Sequence, residues 1–302
     1  MTQQRIIARL HDGLGNQLFI YAAARAIADA RGARLLVDGH SGFARDRKYG
    51  ATAQLQHFAT RAEAAPMRLC YPPPLGRHLR DLQVSASRRL PLARRFVVRE
   101  ADFDAVMAGA PLRDLVRLEG YWQSERYFAS VAGKIAEEFR IVSPLSDKSR
   151  EAAELIGKSE SVCLHARQML GSHHAFNQPP PSHFTQLPFS YYEEAVSRLA
   201  ARVKNPTFFC FADNIEWLRT RWSFPYPVHF VDHNRGEQAY EDLALMSQCR
   251  HFVIGNSTFS WWGAWLSKNP EKIVIAPDNR GRCRWGSEDA LLPSRWDVLK
   301  IA

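Results

Sequence analysis

The chain has 302 residues and a formal net charge of +9 at pH 7, and 46% of its residues are apolar and 24% charged. This composition is typical of a globular protein and excludes a disordered or fibrous one, while the length suits two domains of ordinary size or one large domain. No stretch reaches the roughly 18 uncharged apolar residues of a membrane span, and the first residues lack the apolar core of a signal peptide, so we expect a cytoplasmic protein.

The five cysteines are scattered singly, without CxxC spacing and in an odd number, which favours buried thiols over a disulfide framework or a zinc site. The positive charge indicates an anionic partner, which could be a nucleic acid, a membrane surface or a phosphorylated small molecule. Because no helix-turn-helix, RNP or zinc signature accompanies the charge, we expect no nucleic-acid partner.

The chain begins with a strand, a glycine turn, a helix and a second strand, namely RIIARL, DGLGNQ, LFIYAAARAIADARG and ARLLVDG. Such a unit builds parallel sheets. Gly13 and Gly15 fit a turn or a close ligand approach, and Asn16 and Gln17 are uncharged donors at the helix start. The third glycine of GxGxxG is absent, which disfavours a dinucleotide site.

The region from about residue 40 to 130 is less regular and contains a basic segment, Arg77–Arg99, with seven arginines interleaved with apolar residues. Two interpretations stay open. The segment is a solvated helical face, or it makes a peripheral contact with anionic lipid headgroups at the inner membrane surface.

Alternation returns after a boundary near residues 143–148. Five buried strands, SVCLHA, TFFCFA, VHFVD, HFVIGN and KIVIAP, are separated by helix-length segments. We therefore predict two α/β domains, residues 1–145 and 146–302, with a ligand cleft between them at the carboxyl ends of the strands.

Two polar groups follow strands of the second half. His165 and Arg167 end the strand SVCLHA on one face, and the planar guanidinium of an arginine suits a diphosphate. Ser257 and Thr258 stand between the strand HFVIG and a helix, whose first N–H groups could hold a phosphate. A plain helix cap is the alternative for these two residues.

Two further patterns favour structural explanations. Trp261, Trp262 and Trp265 lie mostly on one side of the helix that follows, which favours core packing over a sugar platform. The loop at residues 173–184 contains three histidines, but acids and cysteines are missing nearby. A surface loop or an acceptor-side lid is therefore favoured over a metal site, and we expect no metal.

Six segments together resemble the α-1,2-fucosyltransferases of glycosyltransferase family 11, in the same order and over most of the chain. They are HDGLGNQLFIYAAARAIA, GYWQSERYF, YYEEA, FADN, YEDLALMSQCRHFVIGNSTFSWWGAWLS and KIVIAP. The resemblance implies an α/β, GT-B-like fold of two Rossmann-like halves with an interdomain cleft. It also implies GDP-β-L-fucose as donor, inversion at the anomeric carbon, and no cofactor or metal. Residues 1–145 would then face the acceptor, and residues 146–302 would bind the nucleotide sugar.

The resemblance assigns catalytic roles to three residues. Arg167 would neutralise the pyrophosphate as the fucose bond breaks, and His165 would support Arg167. Asn16 would reach the bridging oxygen or the acceptor. The acceptor is expected to be a glycan or lipid-linked oligosaccharide, with the 2-OH of galactose as the hydroxyl, and its binding residues are not identified.

The resemblance also assigns donor-binding roles, shared by Arg167. Ser257, Thr258 and Phe259 match Ser-Ser-Phe in the family and would hold the phosphates and wall the nucleotide. Asp213 matches the first acid of Ser-Asp-Asp and would contact the nucleotide.

Two departures from the family pattern leave alternatives open. The family reads His-Val-Arg-Arg-Gly-Asp-Tyr where this chain has HARQMLG, and the second acid of Ser-Asp-Asp is Asn214. The alternative is a protein of the same fold that uses another donor, or that binds a nucleotide sugar or glycan without catalysis. A general base is expected from Asp12, Glu237, Glu241 and Asp242, and the sequence does not choose among them.

Overall fold

A computed structural model describes residues 3–43, 51–71, 74–168, 186–278 and 292–301. The chain splits into two compact units, Met1–Val142 and Ser143–Ala302. This division falls three residues before the boundary expected from the sequence. Each unit is built around its own parallel β-sheet.

The described part of the first unit has five strands, β1 (Arg5–Arg9), β2 (Arg34–Asp38), β3 (Glu63–Ala64), β4 (Val97–Arg99) and β5 (Leu115–Glu119). Its helices are α1 (Leu14–Ala30), α2 (Gly76–Arg89), α3 (Phe103–Met107) and α4 (Ala132–Glu138). The strands are parallel in the order β3-β2-β1-β5-β4. The expected strand, helix and strand at the start of the chain are confirmed, whereas β3, β4 and β5 were not predicted.

Helix α1 covers one face of this sheet. Ile6 and Ala8 of β1 are completely buried, and so are Leu18, Phe19 and the alanines at 22–24 of the helix. A helix that is apolar on nearly every side is stable in water only when it is packed inside a protein. Among the described helices, α1 included, none is long and apolar enough to cross a bilayer.

Charged side chains lie buried on the opposite face. Glu119 ends β5 level with Arg9 of β1, and Arg9 donates to both of its carboxylate oxygens at 3.0 Å. Arg80 of α2 donates to the same two oxygens at 3.0 and 2.8 Å. Burial raises the pKa of Glu119, but the two guanidinium groups outweigh it and lower that pKa to about 2. These charges break the apolar run of β5, which is why its pattern did not predict a strand.

The described part of the second unit contains β6 (Glu160–Ala166), β7 (Pro206–Ala212), β8 (Val228–Val231), β9 (His251–Val253), β10 (Val274–Pro277) and β11 (Asp297–Leu299). Its helices are α5 (Asp147–Gly157), α6 (Phe189–Ala200), α7 (Ile215–Arg219), α8 (Ala239–Gln248) and α9 (Thr258–Leu266). The parallel order is β11-β10-β9-β6-β7-β8. The predicted count of five strands was wrong, because β11 is a short, half-exposed edge strand without an apolar run.

The core of this unit is apolar on both faces of the sheet. On one face, α6 packs against residues such as Val162 and Leu164. On the other, α8 and α9 approach so closely that a Cβ at Gly263 would lie 2.9 Å from the Cβ of Met246. The predicted packing role of the tryptophan stripe is confirmed, since Trp261 and Trp262 are buried with ring centroids 4.9 Å apart. The four described cysteines are buried and free, as expected, and Cys283 lies outside the described residues.

Candidate active site

The second unit winds in two directions from β6. Strands β7 and β8 follow on one side, and β9, β10 and β11 on the other. At such a switch point the connections leave adjacent strands in opposite directions and open a crevice at the carboxyl ends. Leu164 of β6 is paired with Val253 of β9, so the residues that follow the two strands lie side by side. Those residues are Arg167 after β6 and the segment 254–257, leading into α9, after β9.

Gly255 permits this close approach. A Cβ at this position would lie 2.8 Å from the carbonyl oxygen of His165 and 3.2 Å from the hydroxyl of Tyr192. A contact of 2.8 Å with a backbone atom forces the main chain to move, so a side chain would push the two strand ends apart. The sequence IGNS therefore places the start of α9 directly beside the end of β6.

Arg167 is held by a carboxylate. Its Nε lies 3.6 Å from Oδ2 of Asp213, which is a charge contact too long for a hydrogen bond. The other carboxylate oxygen of Asp213 accepts from the backbone N–H of Gln168 at 2.8 Å. The side chain of Arg167 is 32% exposed, whereas that of Asp213 is 10% exposed. Asp213 thus positions the end of β6, and its expected contact with a nucleotide stays a prediction.

His165 is a buried, neutral imidazole. Burial, followed by the charge of Arg167, lowers its pKa to about 3. Its Nδ1 is buried and has no hydrogen-bond partner among the described residues. The ring centroid lies 6.0 Å from that of Phe259. His165 could therefore support Arg167 through an N–H group or by packing, but it carries no charge near neutral pH.

Helix α9 begins in the crevice with a polar turn. Ser257 has extended backbone angles, and its Oγ accepts from the N–H of Phe259 at 3.3 Å, so Ser257 caps the helix, which was the alternative considered for it. Ser257, Thr258 and Phe259 are half-buried. A helix start presents N–H groups and the positive end of the helix dipole, which are suited to an anion. Binding of a phosphate there stays a prediction.

In the first unit, the corresponding switch point lies between β1 and β5. Asn16 stands in the first turn of α1, and its Oδ1 accepts from Nε2 of Gln123 at 2.9 Å. The buried Gln17 donates from Nε2 to the carbonyl oxygens of Asp12 and Thr52, both at 2.9 Å. Gln17 therefore fixes the turn. Among the residues that the structure describes, the amide N–H groups of Asn16 have no hydrogen-bond acceptor.

The segment GYWQS was recognised as a motif, but the residue that holds it was missed. Glu100 accepts from the backbone N–H groups of Tyr121 and Trp122 at 2.8 and 2.7 Å through one oxygen. Trp122 is completely buried with a φ of 57°, a conformation that is rare for an aromatic residue. The carboxylate and the strained turn together place Gln123 beside Asn16. In the sequence, only the glutamine of GYWQS could have indicated a contact with Asn16.

Among the acids considered as general base, Asp12 has the most suitable environment. Its Oδ2 lies 2.8 Å from Nδ1 of His11, its side chain is 34% exposed, and its φ is 59°. Burial raises its pKa, but the hydrogen bond and charge of His11 and a hydrogen bond from Tyr121 outweigh burial and lower it. Asp12 is therefore an ionised, accessible carboxylate held in a backbone conformation that is uncommon for a residue with a side chain.

The other acids are engaged or exposed. Glu241 accepts from the backbone N–H and the hydroxyl of Ser146 at 2.8 and 2.7 Å. Asp242 is buried, which raises its pKa to about 7 despite a 2.7 Å hydrogen bond from Asn234. Glu237 lies exposed in a short turn.

The histidine-rich loop with His173, His174 and His183 lies outside the described residues. Within the described part of the chain, no three His, Cys, Asp or Glu side chains are grouped so that they could hold a metal ion.

Solved structures show the same fold at low identity. The NodZ α-1,6-fucosyltransferase co-crystallised with GDP is 15% identical, and the match covers 91% of this chain and 96% of that chain with a TM-score of 0.55. A variant of Arabidopsis thaliana FUT1 in complex with GDP is 13% identical, covering 96% of this chain and 75% of that chain with a TM-score of 0.51. The predicted GT-B-like fold of two Rossmann-like halves is thereby confirmed.

Sequence relatives are similar over nearly the whole chain. An α-1,2-colitosyltransferase of Escherichia coli is 28% identical over 288 residues, covering 90% of this chain and 91% of the relative. The galactoside 2-α-L-fucosyltransferase SEC1 of Bos taurus is 23% identical over 290 residues, covering 93% and 70%. The model of glycosyltransferase family 11 matches residues 99–299, more than half of the 302 residues, including the ends of β6 and β9 and the start of α9. Its motifs and this match agree: the chain is a glycosyltransferase that belongs to family 11.

Proposed function

We propose that this glycosyltransferase transfers L-fucose from GDP-β-L-fucose to the 2-OH of galactose in a glycan or lipid-linked oligosaccharide. The observation that carries the proposal is the juxtaposition of Arg167 with the start of α9 across the switch point of the second unit. A fixed cation and a helix N-terminus together suit a diphosphate. Relatives named as galactoside α-1,2-fucosyltransferases and solved fucosyltransferases with GDP support the sugar and the nucleotide.

The reaction we propose is a single displacement with inversion. The acceptor oxygen bonds to the anomeric carbon, the bond from that carbon to the GDP oxygen breaks, and its electron pair stays on the diphosphate. Arg167 and the N–H groups near Ser257 and Thr258 stabilise the departing charge without a metal ion. Asp213 holds Arg167, and His165 and Phe259 form the wall beside it. Asn16 donates to the bridging oxygen or to the acceptor.

Asp12 completes this proposal as the general base. The proton of the acceptor hydroxyl passes to its carboxylate as the new glycosidic bond forms. The contact with His11 keeps Asp12 ionised and orients it. Of the four acids considered, it alone combines ionisation, accessibility and a place beside the GLGNQ turn.

The role of Arg167 is tested with Arg167→Ala and Arg167→Lys. Loss of a preorganised donor to the leaving group costs about 3 kcal/mol, so Arg167→Ala should lower kcat by about 100-fold or more, and lysine should restore part of it. GDP release from GDP-fucose with a galactose-terminated acceptor is the assay. Arg198→Ala removes an exposed arginine of the same unit and should leave turnover unchanged. If Arg167→Ala keeps more than about a tenth of wild-type turnover, the assigned role is wrong.

The role of Asp12 is tested with Asp12→Asn and Asp12→Gly. Asparagine and glycine both tolerate the positive φ of position 12, so both variants should fold and keep the thermal shift caused by GDP. Each should lose roughly 100-fold or more in kcat, the usual contribution of a general base. The exposed Asp104→Asn is the matched control. Near-normal turnover in Asp12→Gly would show that the proton goes elsewhere, while Arg167 could still hold the diphosphate.

Two alternatives are separated by a donor panel. The E. coli relative is named an α-1,2-colitosyltransferase, so GDP-colitose is the rival donor. Faster GDP release from GDP-colitose than from GDP-fucose would replace the proposed sugar and keep the reaction class. A non-catalytic protein would be stabilised by GDP but would release none from either donor.

A further inference from the structure

Helix α2 attaches to its own unit through polar groups. Arg80 pairs with the buried carboxylate at the end of β5 at 2.8 Å. Gln83 accepts from the hydroxyl of Tyr71 at 2.6 Å, and the buried Oγ of Ser87 accepts from the backbone N–H groups of residues 96 and 97. A surface helix normally buries an apolar stripe and exposes its polar face. Helix α2 instead turns polar side chains towards its unit.

The outward side of α2 carries large apolar side chains. Leu79 and Leu82 are 47% and 67% exposed, and Leu75, just before the helix, is 71% exposed. Positions i, i+4 and i+7 share one helical stripe, so the three leucines form a continuous apolar ridge. Met67, in the preceding turn, is 57% exposed. Of the seven large apolar side chains exposed in the described part of the chain, four lie within residues 67–82.

Basic side chains border this ridge. Arg77, Arg88 and Arg89 of α2 are exposed, against one acid, Asp81, which lies 3.8 Å from Arg77. Arg68 and Arg94 add exposed positive charge in the adjoining turns. Arg80 and Arg95 are engaged within the unit, because Arg80 pairs with Glu119 and Arg95 pairs with Asp102. The basic segment therefore divides into arginines bound internally and arginines available to a partner.

We propose that the ridge of Leu75, Leu79 and Leu82, with the arginines of α2, docks on an anionic lipid surface. The leucines would enter the boundary between headgroups and acyl chains, and the guanidinium groups would contact the phosphates. Nucleic acid would match the arginines but leave the leucine ridge exposed to water. A second copy of the chain would cover the leucines but bring like charges together. An anionic membrane satisfies both features, and this inference does not depend on the donor sugar.

Vesicle co-sedimentation of the full chain tests the proposal. Vesicles of phosphatidylcholine with phosphatidylglycerol should bind the protein, and pure phosphatidylcholine vesicles should bind it at least tenfold less. Binding should weaken as salt rises, because the Debye length shortens. Leu79→Glu/Leu82→Glu and Arg88→Ala/Arg89→Ala should each reduce partitioning into anionic vesicles about tenfold or more.

The controls separate docking from misfolding and from self-association. Leu155→Glu replaces an exposed leucine of the second unit and should bind vesicles as the wild type does. All variants should keep the wild-type melting temperature within a few degrees and the same turnover on a soluble acceptor. Failure of the wild type to bind anionic vesicles, or equal binding by Leu79→Glu/Leu82→Glu, overturns the proposal. A dimer in light scattering that the leucine variant abolishes would assign the ridge to a second copy instead.

Discussion

The two parallel sheets share a plan but differ in where they keep polar groups. In both, the first strand of the unit is central and the winding direction changes beside it. The sheet of the second unit is apolar on both faces, and its site residues are confined to the strand ends. The sheet of the first unit carries a buried ion pair, Arg9 and Glu119, at the carboxyl ends of its two central strands, and the half-buried Arg80 of α2 joins it.

This difference has a consequence for mutations. In the second unit, Arg167 lies beyond the end of β6 and outside the apolar core, so activity can be lost without loss of the fold. In the first unit, Glu119 directly precedes the GYWQS segment that presents Gln123 to Asn16. A substitution at Arg167 therefore separates activity from stability in the second unit, whereas a substitution at Glu119 should change both in the first.

The largest effect is expected for Glu119→Ala. Removing this carboxylate leaves the buried Arg9 without its charge partner and Arg80 without its anchor, which typically costs 3–5 kcal/mol of unfolding free energy. Denaturant unfolding measures the loss. Glu63→Ala, which removes an exposed pair with Arg34 on the same sheet, should have little effect. A similarly small loss of unfolding free energy in both variants would show that the ion pairs of Glu119 do not stabilise the first unit.

A smaller effect is expected for Gly255→Ala. The new Cβ would be forced against the carbonyl oxygen of His165, and overpacking of this kind costs about 1–3 kcal/mol. Because the strain falls between β6 and the start of α9, the thermal shift caused by GDP should also decrease. Gly157→Ala, with open space around the new Cβ, is the control. Unchanged stability and GDP response in Gly255→Ala would refute the close approach as the basis of the site.

The smallest net effect is expected for the pH dependence of the wild type, because two groups of the second unit contribute opposing slopes of about 1.4 kcal/mol per pH unit. Burial lowers the pKa of His165 from 6.5 to about 3, so its contribution to stability is present above pH 6.5 and is lost as pH falls. Burial raises the pKa of Asp242 from 3.8 to about 7, so its contribution is present below pH 3.8 and is lost as pH rises. Between about pH 4 and 6.5 the two slopes oppose each other.

Single variants should expose each slope. Asp242→Asn should make the protein progressively less stable as pH falls from 6.5, whereas His165→Gln should make it less stable as pH rises towards 7. Unfolding free energies at half-unit pH intervals measure both. The double variant should lose both slopes. Parallel pH profiles for the two single variants would contradict the assignment.

Much of the second unit followed from its sequence, and less of the first. Runs such as SVCLHA and TFFCFA are long, apolar and bounded by polar turns, so their burial in a parallel sheet was predictable. Strand β5 was not predictable, because Arg117 and Glu119 interrupt its apolar residues. The carboxylate of Glu119 can be buried only because Arg9 and Arg80 pair with it. The sequence identified residues 77–99 as a basic segment, but not which of its arginines are bound internally.

The sequence by itself determined the two α/β units, the strand-end motifs around Arg167 and Ser257, and the family they indicate. These depend on local periodicity and on residue types at fixed spacing. Only the tertiary structure decided that Asp213 positions Arg167, that His165 is a neutral imidazole, and that Asp12 is the accessible carboxylate beside the GLGNQ turn. Those properties depend on which groups become neighbours across strands and on how completely folding removes them from water, and no spacing along the chain encodes either.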